Sequence, residues 1–205
     1  MRDPTAGVTS EAATTSKEAV VSAVAEQASS SFDEDVVTVE RFLAGDQDAF
    51  QLLYSRYYEK VYSIARGILL DADEAADAVQ EIYTLVYRHL SRFDRRARFS
   101  TWLFRISVNR SIQQARRLKY KARLSPLDEG LTTAAEPQEA PTDPRIHETL
   151  AQLQPQDRAL LALFYWDELS LQEISESLGC SVNAAKTRLY RARERFRQGY
   201  EEIAR

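Results

Sequence analysis

Residues 169–197 constrain the fold more than any other stretch of this chain, because they carry the signals for two helices separated by a short turn. Ser170 and Glu173 form the S-x-x-E pattern of a capping box, which predicts the start of a helix. Gly179 favours the left-handed backbone conformation that ends a helix, and Ser181 is suited to cap the next one. Two helices joined by a short turn that contains glycine are typical of a helix-turn-helix.

The second of these helices has distinct apolar and polar faces. Its apolar face is formed, in steps of three and four, by Val182, Ala185, Leu189, Ala192 and Phe196. The opposite face carries Asn183, Ala184, Thr187, Tyr190 and Arg191. Cations lie mainly at the borders between these two faces: Lys186, Arg188, Arg193, Arg195 and Arg197. Polar groups flanked by cations suit a helix in the major groove of DNA. We therefore predict DNA binding; a charge run alone would indicate only a solvated basic helix.

Length and composition restrict the remaining classes of protein. A chain of 205 residues with 44% hydrophobic residues accommodates one or two domains with real cores. It has no run of about 18 apolar residues, so we expect no membrane insertion. Its one cysteine, Cys180, excludes an internal disulfide and a cysteine-based zinc finger, and we expect it to be half-buried in the turn. A reducing cytoplasm is the setting we predict.

The net charge of −4 averages blocks of opposite sign. Residues 88–124 hold twelve basic side chains and one acid, a net charge of +11, and residues 181–205 have a net charge of +4. Residues 1–35 and 125–150 each have a net charge of −5. Two basic patches separated by an acidic segment indicate nucleic-acid binding more clearly than the mean charge does.

The N-terminal half reads as a disordered extension followed by amphipathic helices. Residues 1–35 are rich in Ala, Ser, Thr and Glu, which predicts disorder. Residues 50–68 keep helical spacing of apolar side chains and predict a long helix. The acids that begin at Asp71 mark the N-terminus of the next helix, where the helix dipole favours them. The outer face of that helix carries Asp77, Gln80, Glu81 and Thr84.

The basic stretch 92–123 combines cations with aromatic residues. We predict a basic loop, a helix capped by Ser100, and burial of Trp102, Leu103 and Ile106. Such a mixture suits unpaired nucleic acid, because bases stack on rings while phosphates pair with Arg and Lys.

Residues 125–144 contain four prolines and no apolar period, which predicts a flexible linker. Beyond it, two further apolar stripes lead into the helix-turn-helix, and no strand-like alternation of useful length occurs. The expected fold is therefore all-α, with an N-terminal helical bundle and a C-terminal helix-turn-helix domain joined by this linker.

Four motifs, in this order, resemble the extracytoplasmic-function (ECF, group 4) sigma factors of bacterial RNA polymerase. They are DADEAADAVQEIY (71–83), FSTWLFRISVNRSIQQARR (99–117), LQPQDRALLALFYWDELSLQEISESLG (153–179) and SVNAAKTRLYRARERFR (181–197). The resemblance covers about residues 38–203. It implies an N-terminal extension (1–35), a sigma region 2 domain (36–124), a linker (125–144) and a sigma region 4 domain (145–205). The implied function is promoter-specific transcription initiation through recognition of the −10 and −35 elements.

The resemblance also implies roles for residues that match the family motifs. Core polymerase would bind at Asp77, Gln80, Glu81 and Thr84. The melted −10 element would contact Arg95, Arg96, Arg98, Phe99, Arg105, Asn109, Arg116 and Arg117. The −35 duplex would contact Asn183, Lys186, Thr187, Arg188, Tyr190 and Arg191. The implied partners are the clamp helices of the largest polymerase subunit, the flap of the second subunit, promoter DNA and an anti-sigma factor.

The sequence departs from the family pattern in two places. Asn183-Ala184-Ala185 replaces a common Gly-Thr-Val, and Gln113 stands where an acid is common, so the promoter sequence does not follow from the resemblance.

Other classes of protein stay open at this point. A conventional helix-turn-helix regulator would bind duplex DNA without polymerase, and a helical adaptor would bind acidic partners without sequence preference. An enzyme is not expected, because His89 and His147 lie in separate predicted domains and no phosphate loop or metal-ligand spacing occurs. For the same reasons we expect no cofactor and no metal.

Overall fold

The computed structural model describes residues 34–95, 97–124 and 143–203, and these ranges contain helices and turns but no strand. Helix α1 covers 34–43 of the described residues. The other helices are α2 (Gln47–Leu69), α3 (Ala72–His89), α4 (Phe99–Leu124), α5 (Pro144–Gln152), α6 (Pro155–Tyr165), α7 (Leu171–Leu178) and α8 (Val182–Ile203). A 3-10 turn, Leu90–Arg92, follows α3. The all-α prediction is confirmed. The predicted disordered extension lies outside these ranges, apart from its last two residues, and so does the linker, apart from 143–144.

We call helices α1–α4 the N-terminal unit and helices α5–α8 the C-terminal unit. Helices α2, α3 and α4 pack around one apolar core in the N-terminal unit. The turn between α2 and α3 was predicted from its acids, and Asp71 caps α3 by accepting a hydrogen bond from the Glu74 amide at 2.9 Å. Leu70 precedes it with a φ of 64°, which reverses the chain tightly between the two helices. The side chains at the centre of this core are fully buried: Leu53, Ile64, Ile68, Ile82, Val86, Leu90, Phe99 and Leu103.

Helix α4 begins two residues earlier than the sequence indicated, at Phe99 instead of Thr101. Ser100 was predicted to cap it, and this was wrong, because Ser100 is already the second helical residue. The Trp102 amide donates to the carbonyl of Arg98 at 3.2 Å, so helical bonding starts at Arg98. Burial of Phe99 explains the earlier start of the helix. Its side chain is 1% exposed, so the first helical turn packs against the core. Of the three side chains predicted to be buried, Leu103 is buried, whereas Trp102 and Ile106 are half-buried.

The helix-turn-helix forms with the predicted caps. Ser170 and Glu173 make both hydrogen bonds of the capping box at α7. Gly179 ends that helix with a φ of 62°, in the left-handed conformation. Ser181 accepts from the Ala184 amide at 3.2 Å and so caps α8. Helix α8 buries Ala185, Leu189 and Ala192, while Val182, predicted to share this face, is 37% exposed at the first turn.

The two units are packed directly on each other. Helices α2 and α4 of the N-terminal unit contact α6, and α4 also contacts α7, so one apolar cluster runs through both units. At the centre of this packing Gly67 lies against Ala162 of α6. A Cβ atom added at Gly67 would lie only 2.6 Å from the Ala162 Cβ, so this contact requires glycine.

Two of the three serines that were predicted to cap helices, Ser170 and Ser100, provide a matched test. Ser170→Ala removes the hydroxyl that accepts a hydrogen bond from the backbone amide of Glu173, which has no partner within the helix. We expect this change to lower the free energy of unfolding by about 1 kcal/mol. Ser100→Ala replaces a helical serine that caps nothing, so we expect a change within about 0.5 kcal/mol, because alanine is the better helix former. Urea unfolding followed by circular dichroism measures both. An equal loss for the two variants would contradict the assignment of α4's start.

Candidate nucleic-acid interface

The exposed face of α8 carries the residues predicted to meet duplex DNA. Asn183, Lys186, Thr187, Arg188, Tyr190 and Arg191 are all exposed. Tyr190 is 63% exposed, so its ring is accessible to a partner. The Thr187 hydroxyl donates to the carbonyl of Asn183 at 2.9 Å, so its proton is used and its two acceptor lone pairs and methyl group remain for a partner.

The cations of α8 divide into two groups, those engaged by other side chains of the domain and those without an ion pair among the described residues. Arg195 donates to both carboxylate oxygens of Asp157, at 2.9 and 2.7 Å, and thereby ties α8 to α6. Arg197 pairs with Glu194 and Glu201, each at 3.0 Å. The Arg193 guanidinium stacks 4.8 Å from the ring centroid of Phe164. These three arginines therefore stabilise the domain.

The other three cations of α8 are Lys186, Arg188 and Arg191, and no acidic partner for them occurs in the described part of the chain. Unpaired guanidinium groups bind phosphate or guanine without first breaking an ion pair. The free cations thus coincide with the face predicted to meet DNA.

A second cationic surface follows α4 and the loop before it. Arg98, Arg105, Asn109, Arg116 and Arg117 are exposed there. Arg95 is exposed as well, but it pairs with Glu40 of α1 at 3.1 Å. Arg96 lies outside the described residues. This surface supplies guanidinium groups along a helix whose opposite side is buried in the core.

Phe99 does not belong to this exposed surface, so its predicted contact with DNA is contradicted. Its ring is 1% exposed and packs 5.5 Å from Tyr57, 5.7 Å from Phe93 and 6.0 Å from Trp102, measured between ring centroids. A base cannot stack on a ring that is covered on this scale. Trp102, which is half-buried at the edge of the same cluster, is the aromatic side chain nearer to solvent.

The outer face of α3 forms a third candidate surface. Asp77, Gln80 and Thr84 are exposed, and the Thr84 hydroxyl donates to the Gln80 carbonyl at 2.8 Å. Glu81 is half-buried, because Arg110 of α4 donates its Nε to the Glu81 carboxylate at 2.6 Å. Sequence spacing did not reveal Arg110 as the partner, since the two residues lie on different helices.

An aromatic groove adjoins the α3 face. It encloses about 400 Å³ and is lined by Phe50, Tyr54, Gln80, Tyr83, Thr84, Tyr87 and Arg88. Burial raises the pKa of the Tyr83 phenol, with neighbouring Tyr54 and Tyr58 adding to the shift, so this ring stays neutral. The groove therefore offers uncharged rings beside the polar residues of α3.

The α4 and α8 surfaces meet at a cavity of about 470 Å³ between the two units. Its α4 wall is formed by Asn109, Ile112, Gln113 and Arg116. Its other wall is formed by Gln156, Asp157, Leu160, Leu178, Arg188, Arg191 and Arg195. Residues predicted separately for single-stranded and duplex DNA thus lie on opposite sides of one space.

A buried ion pair that the sequence did not suggest joins the two units. Asp167, at 3% exposure, follows α6, and its Oδ1 lies 3.4 Å from the Lys60 Nζ of α2. The Lys60 ammonium also donates to the backbone carbonyl of Asp167. Burial raises the pKa of the Asp167 carboxyl, while Ser63 and Lys60 act in the opposite direction. Gly67, in the last turn of α2, was the one sequence signal for a close approach on this side of the helix.

Among residues 34–95, 97–124 and 143–203, no three His, Cys, Asp or Glu side chains are grouped in a way that would hold a metal ion. In the same ranges no helix has the length and hydropathy needed to cross a membrane.

Comparison with known proteins identifies the family. The family model for sigma-70 region 2 matches residues 53–120, and the model for sigma-70 region 4 matches residues 144–196. The ECF RNA polymerase sigma factor SigW of Bacillus subtilis is 33% identical over 179 residues, which cover 80% of this chain and 96% of SigW. The chain belongs to the ECF sigma factors. The ECF RNA polymerase sigma-E factor of Escherichia coli is 34% identical over 177 residues, 78% of this chain and 91% of that factor.

Solved structures agree with the fold of an ECF sigma factor. CnrH, solved in complex with the cytosolic domain of CnrY, is 26% identical, and the match covers 80% of this chain and 96% of CnrH with a TM-score of 0.60. The sigma factor RpoE of Bartonella quintana, solved with the anti-sigma factor NepR, is 18% identical over 74% of this chain and 96% of RpoE, with a TM-score of 0.58, and supports the fold alone.

Membership of the ECF sigma factors confirms the predicted two-domain layout and the predicted function, promoter-specific transcription initiation with RNA polymerase. The α3 and α4 surfaces fall within the region 2 match, and the α8 surface falls within the region 4 match.

Proposed function

We propose that this sigma factor divides promoter recognition among the three surfaces described above. The α3 face binds core polymerase, the α4 surface captures the melted −10 strand, and the α8 face reads the −35 duplex. The observation that carries the proposal is the clustering, among the described residues, of exposed cations without an ion pair on α4 (Arg105, Arg116 and Arg117) and α8 (Lys186, Arg188 and Arg191), while Arg110, Arg195 and Arg197 of the same helices pair with carboxylates.

Reading of the −35 element would fall to the exposed middle of α8. Arg191 and Tyr190 project from this face beside Thr187 and Asn183, and an arginine there pairs bidentately with guanine O6 and N7. Lys186 and Arg188 flank them and would neutralise phosphates on either strand. Contacts with the DNA phosphates would fix the position of α8 in the groove, and the side chains in the middle of the helix would supply the preference for a base sequence.

Capture of the −10 strand would fall to α4 and the preceding loop. Arg98, Arg105, Arg116 and Arg117 offer guanidinium groups, and Asn109 offers an amide that both donates and accepts. Arg95 would contribute after exchanging Glu40 for a phosphate, and Arg96 completes the predicted set. Each base freed from the duplex contributes about 1–3 kcal/mol of favourable binding free energy when it stacks on an aromatic side chain of the protein.

Polymerase binding would use Asp77, Gln80, Glu81 and Thr84 on α3, with the flap of the second subunit engaging region 4. An acidic and polar helix face suits a basic partner surface on the clamp helices. Glu81 is held in place by Arg110, so it would be presented to the partner without a large loss of side-chain entropy.

The finer organisation follows from this division of labour. The extension (1–35) and linker (125–144) flank region 2 (36–124), and region 4 occupies 145–205; the helix α5, capped by Asp143, begins at Pro144. The protein acts in the cytoplasm by binding rather than by catalysis, without cofactor. An anti-sigma factor is the regulator we expect, as NepR is for the RpoE structure named above.

The experiment that tests the proposal mixes the full chain with sigma-free bacterial core polymerase. We expect co-elution in gel filtration and transcription that starts at selected promoters from a genomic library. A chain that binds specific duplex DNA but leaves core polymerase alone would instead be a conventional helix-turn-helix regulator. A folded chain that prefers no DNA sequence would be an adaptor for acidic partners.

Arg191→Ala should reduce promoter discrimination by about 1–3 kcal/mol, because it removes a guanidinium group aimed at a base edge. Transcription from a promoter and from the same promoter with a substituted −35 element measures the difference. Arg197→Ala is the matched control on the same helix, since Arg197 is engaged by Glu194 and Glu201. Equal weakening on both templates by Arg191→Ala would contradict base reading.

Glu81 provides a second test, because its ion pair with Arg110 must be separated from any contact with polymerase. Glu81→Arg alone should weaken core binding roughly tenfold or more, through charge reversal at the interface. The double variant Glu81→Arg with Arg110→Glu restores the internal pair with its polarity reversed. We expect the double variant to stay weak in polymerase titrations. Recovery of full affinity would mean that Glu81 serves only to position α4.

A further inference from the structure

We propose that the cavity between the two units is a binding site for a small polyphosphate, a molecule with two or more linked phosphate groups. The cavity encloses about 470 Å³, and it is lined by α4 of the N-terminal unit and by α6, α7 and α8 of the C-terminal unit. Such a volume lies within the range of about 300–1,000 Å³ that is typical of small-molecule sites. The chemistry of the walls identifies the class of ligand.

The walls of the cavity carry an excess of positive charge. Among the described residues, four arginines line it, and one acidic residue does: Arg116 from α4, Arg188, Arg191 and Arg195 from α8, and Asp157 from α6. Four positive charges against one negative charge give a net charge of +3. Like charges on the walls of one space repel one another, and walls of protein concentrate their field. A multivalent anion in the cavity would relieve this repulsion.

The Asp157 carboxylate does not neutralise the other arginines, because it is already engaged. Both of its oxygens accept from Nη1 of Arg195, at 2.9 and 2.7 Å. Arg116, Arg188 and Arg191 form no ion pair within the part of the chain that the structure describes. Guanidinium stays charged, and its parallel N–H donors match two oxygens of a phosphate group. Three such groups on two walls therefore suit a chain of phosphates better than a single anion.

The other lining residues suit the organic part of a nucleoside polyphosphate. An apolar surface is supplied by Ile112, Leu160 and Leu178. Carboxamides, which both donate and accept, are supplied by Asn109, Gln113 and Gln156. The Gln113 Oε1 accepts from Nη1 of Arg110 at 2.7 Å, so the Gln113 amide nitrogen keeps its two donors for a ligand. A nucleobase has an apolar face and polar edges, and these two sets of side chains complement both.

A ligand in the cavity would prevent α8 from engaging duplex DNA. Arg188 and Arg191 belong both to the wall of the cavity and to the α8 face that we propose for the −35 element. A guanidinium group that holds a phosphate of the ligand is not available to a DNA phosphate or to guanine. The ligand and the duplex therefore exclude each other. This exclusion rests on the proposed function of α8, whereas the polyphosphate site itself does not.

Two neighbouring arginines of α4 provide a matched pair of variants. Arg116 and Arg117 are both exposed, but of the two only Arg116 lines the cavity. Arg116→Gln and Arg117→Gln remove the same charge from the same helix, so a general effect of net charge is equal in the two variants. Neither residue lies on α8, so both variants keep every side chain of the proposed −35 face.

Calorimetric titration of the full chain measures the binding of tripolyphosphate, ATP and GTP. The titrations are made at constant ionic strength and without magnesium, so that general screening is constant and the phosphates are bare. Citrate is the control ligand, because it is a multivalent anion without phosphate. Displacement of a fluorescent duplex of random sequence, followed by anisotropy, measures the exclusion. Circular dichroism of each variant controls for folding.

We expect one tripolyphosphate to bind per chain, far more tightly than citrate, and to displace the duplex. Arg116→Gln should weaken tripolyphosphate binding about tenfold, because a hydrogen bond between charged groups is lost. It should raise the concentration that displaces the duplex by the same factor. Arg117→Gln should match the parent in both measurements. Equal weakening by the two variants, or binding of citrate as tight as that of tripolyphosphate, would overturn the site.

Comparison of the three phosphates identifies the form of the ligand. Tighter binding of ATP or GTP than of tripolyphosphate would support a nucleoside polyphosphate, with the carboxamides and the apolar wall holding the base. Equal binding would support a site for the phosphate chain alone. Polyphosphate binding that leaves the duplex in place would overturn the exclusion. A failure of the sigma function is distinguished from these results, because it is measured as absence of polymerase-dependent transcription by the parent chain.

Discussion

Phe99, Leu103 and Val108 belong to the broad buried face of α4 and are at most 1% exposed, while Arg98 just before the helix and Arg105 and Asn109 on it are exposed to solvent. This burial is the interaction on which the other surfaces depend. It fixes the rotation of α4 and therefore the direction in which its cations point. It also sets the position of Arg110, which holds Glu81 of α3. A loss of apolar packing in this one helix would disturb the α4 surface and the α3 face together, because both helices pack on the same core.

Signals carried by neighbouring residues were read correctly from the sequence. The capping box at Ser170, the left-handed Gly179 and the cap at Ser181 all involve residues within three or four positions, so their chemistry is local. The polar face of α8 followed from helical periodicity for the same reason. The start of α4 was misjudged because Ser100 has the right side chain for a cap, but burial of Phe99 decided the boundary. Tertiary packing overrode a local preference there.

Contacts between distant segments could not be read in this way. Lys60 and Asp167 are 107 positions apart, and Arg110 meets Glu81 across 29. Nothing in a single sequence says which of many cations will find which acid. The same limit explains why Phe99 was assigned to DNA: an aromatic residue among arginines matches the pattern of a strand-binding site, whether its ring faces solvent or the core. Only the packing of Tyr57, Phe93 and Trp102 around it distinguishes the two.

The division of the α8 cations has a consequence for how binding responds to ionic strength. Six basic residues lie on this helix, but Arg193, Arg195 and Arg197 are occupied by an aromatic ring or by carboxylates. Under the proposed function, each free cation that meets a phosphate releases about one counterion from the DNA, so α8 would release about three or four ions rather than six, depending on whether Arg193 leaves the Phe164 ring. The proposed binding of region 4 to duplex DNA would then decline with added salt less steeply than the sequence charge implies. Specific contacts, rather than general attraction to DNA, would make up a larger share of that binding.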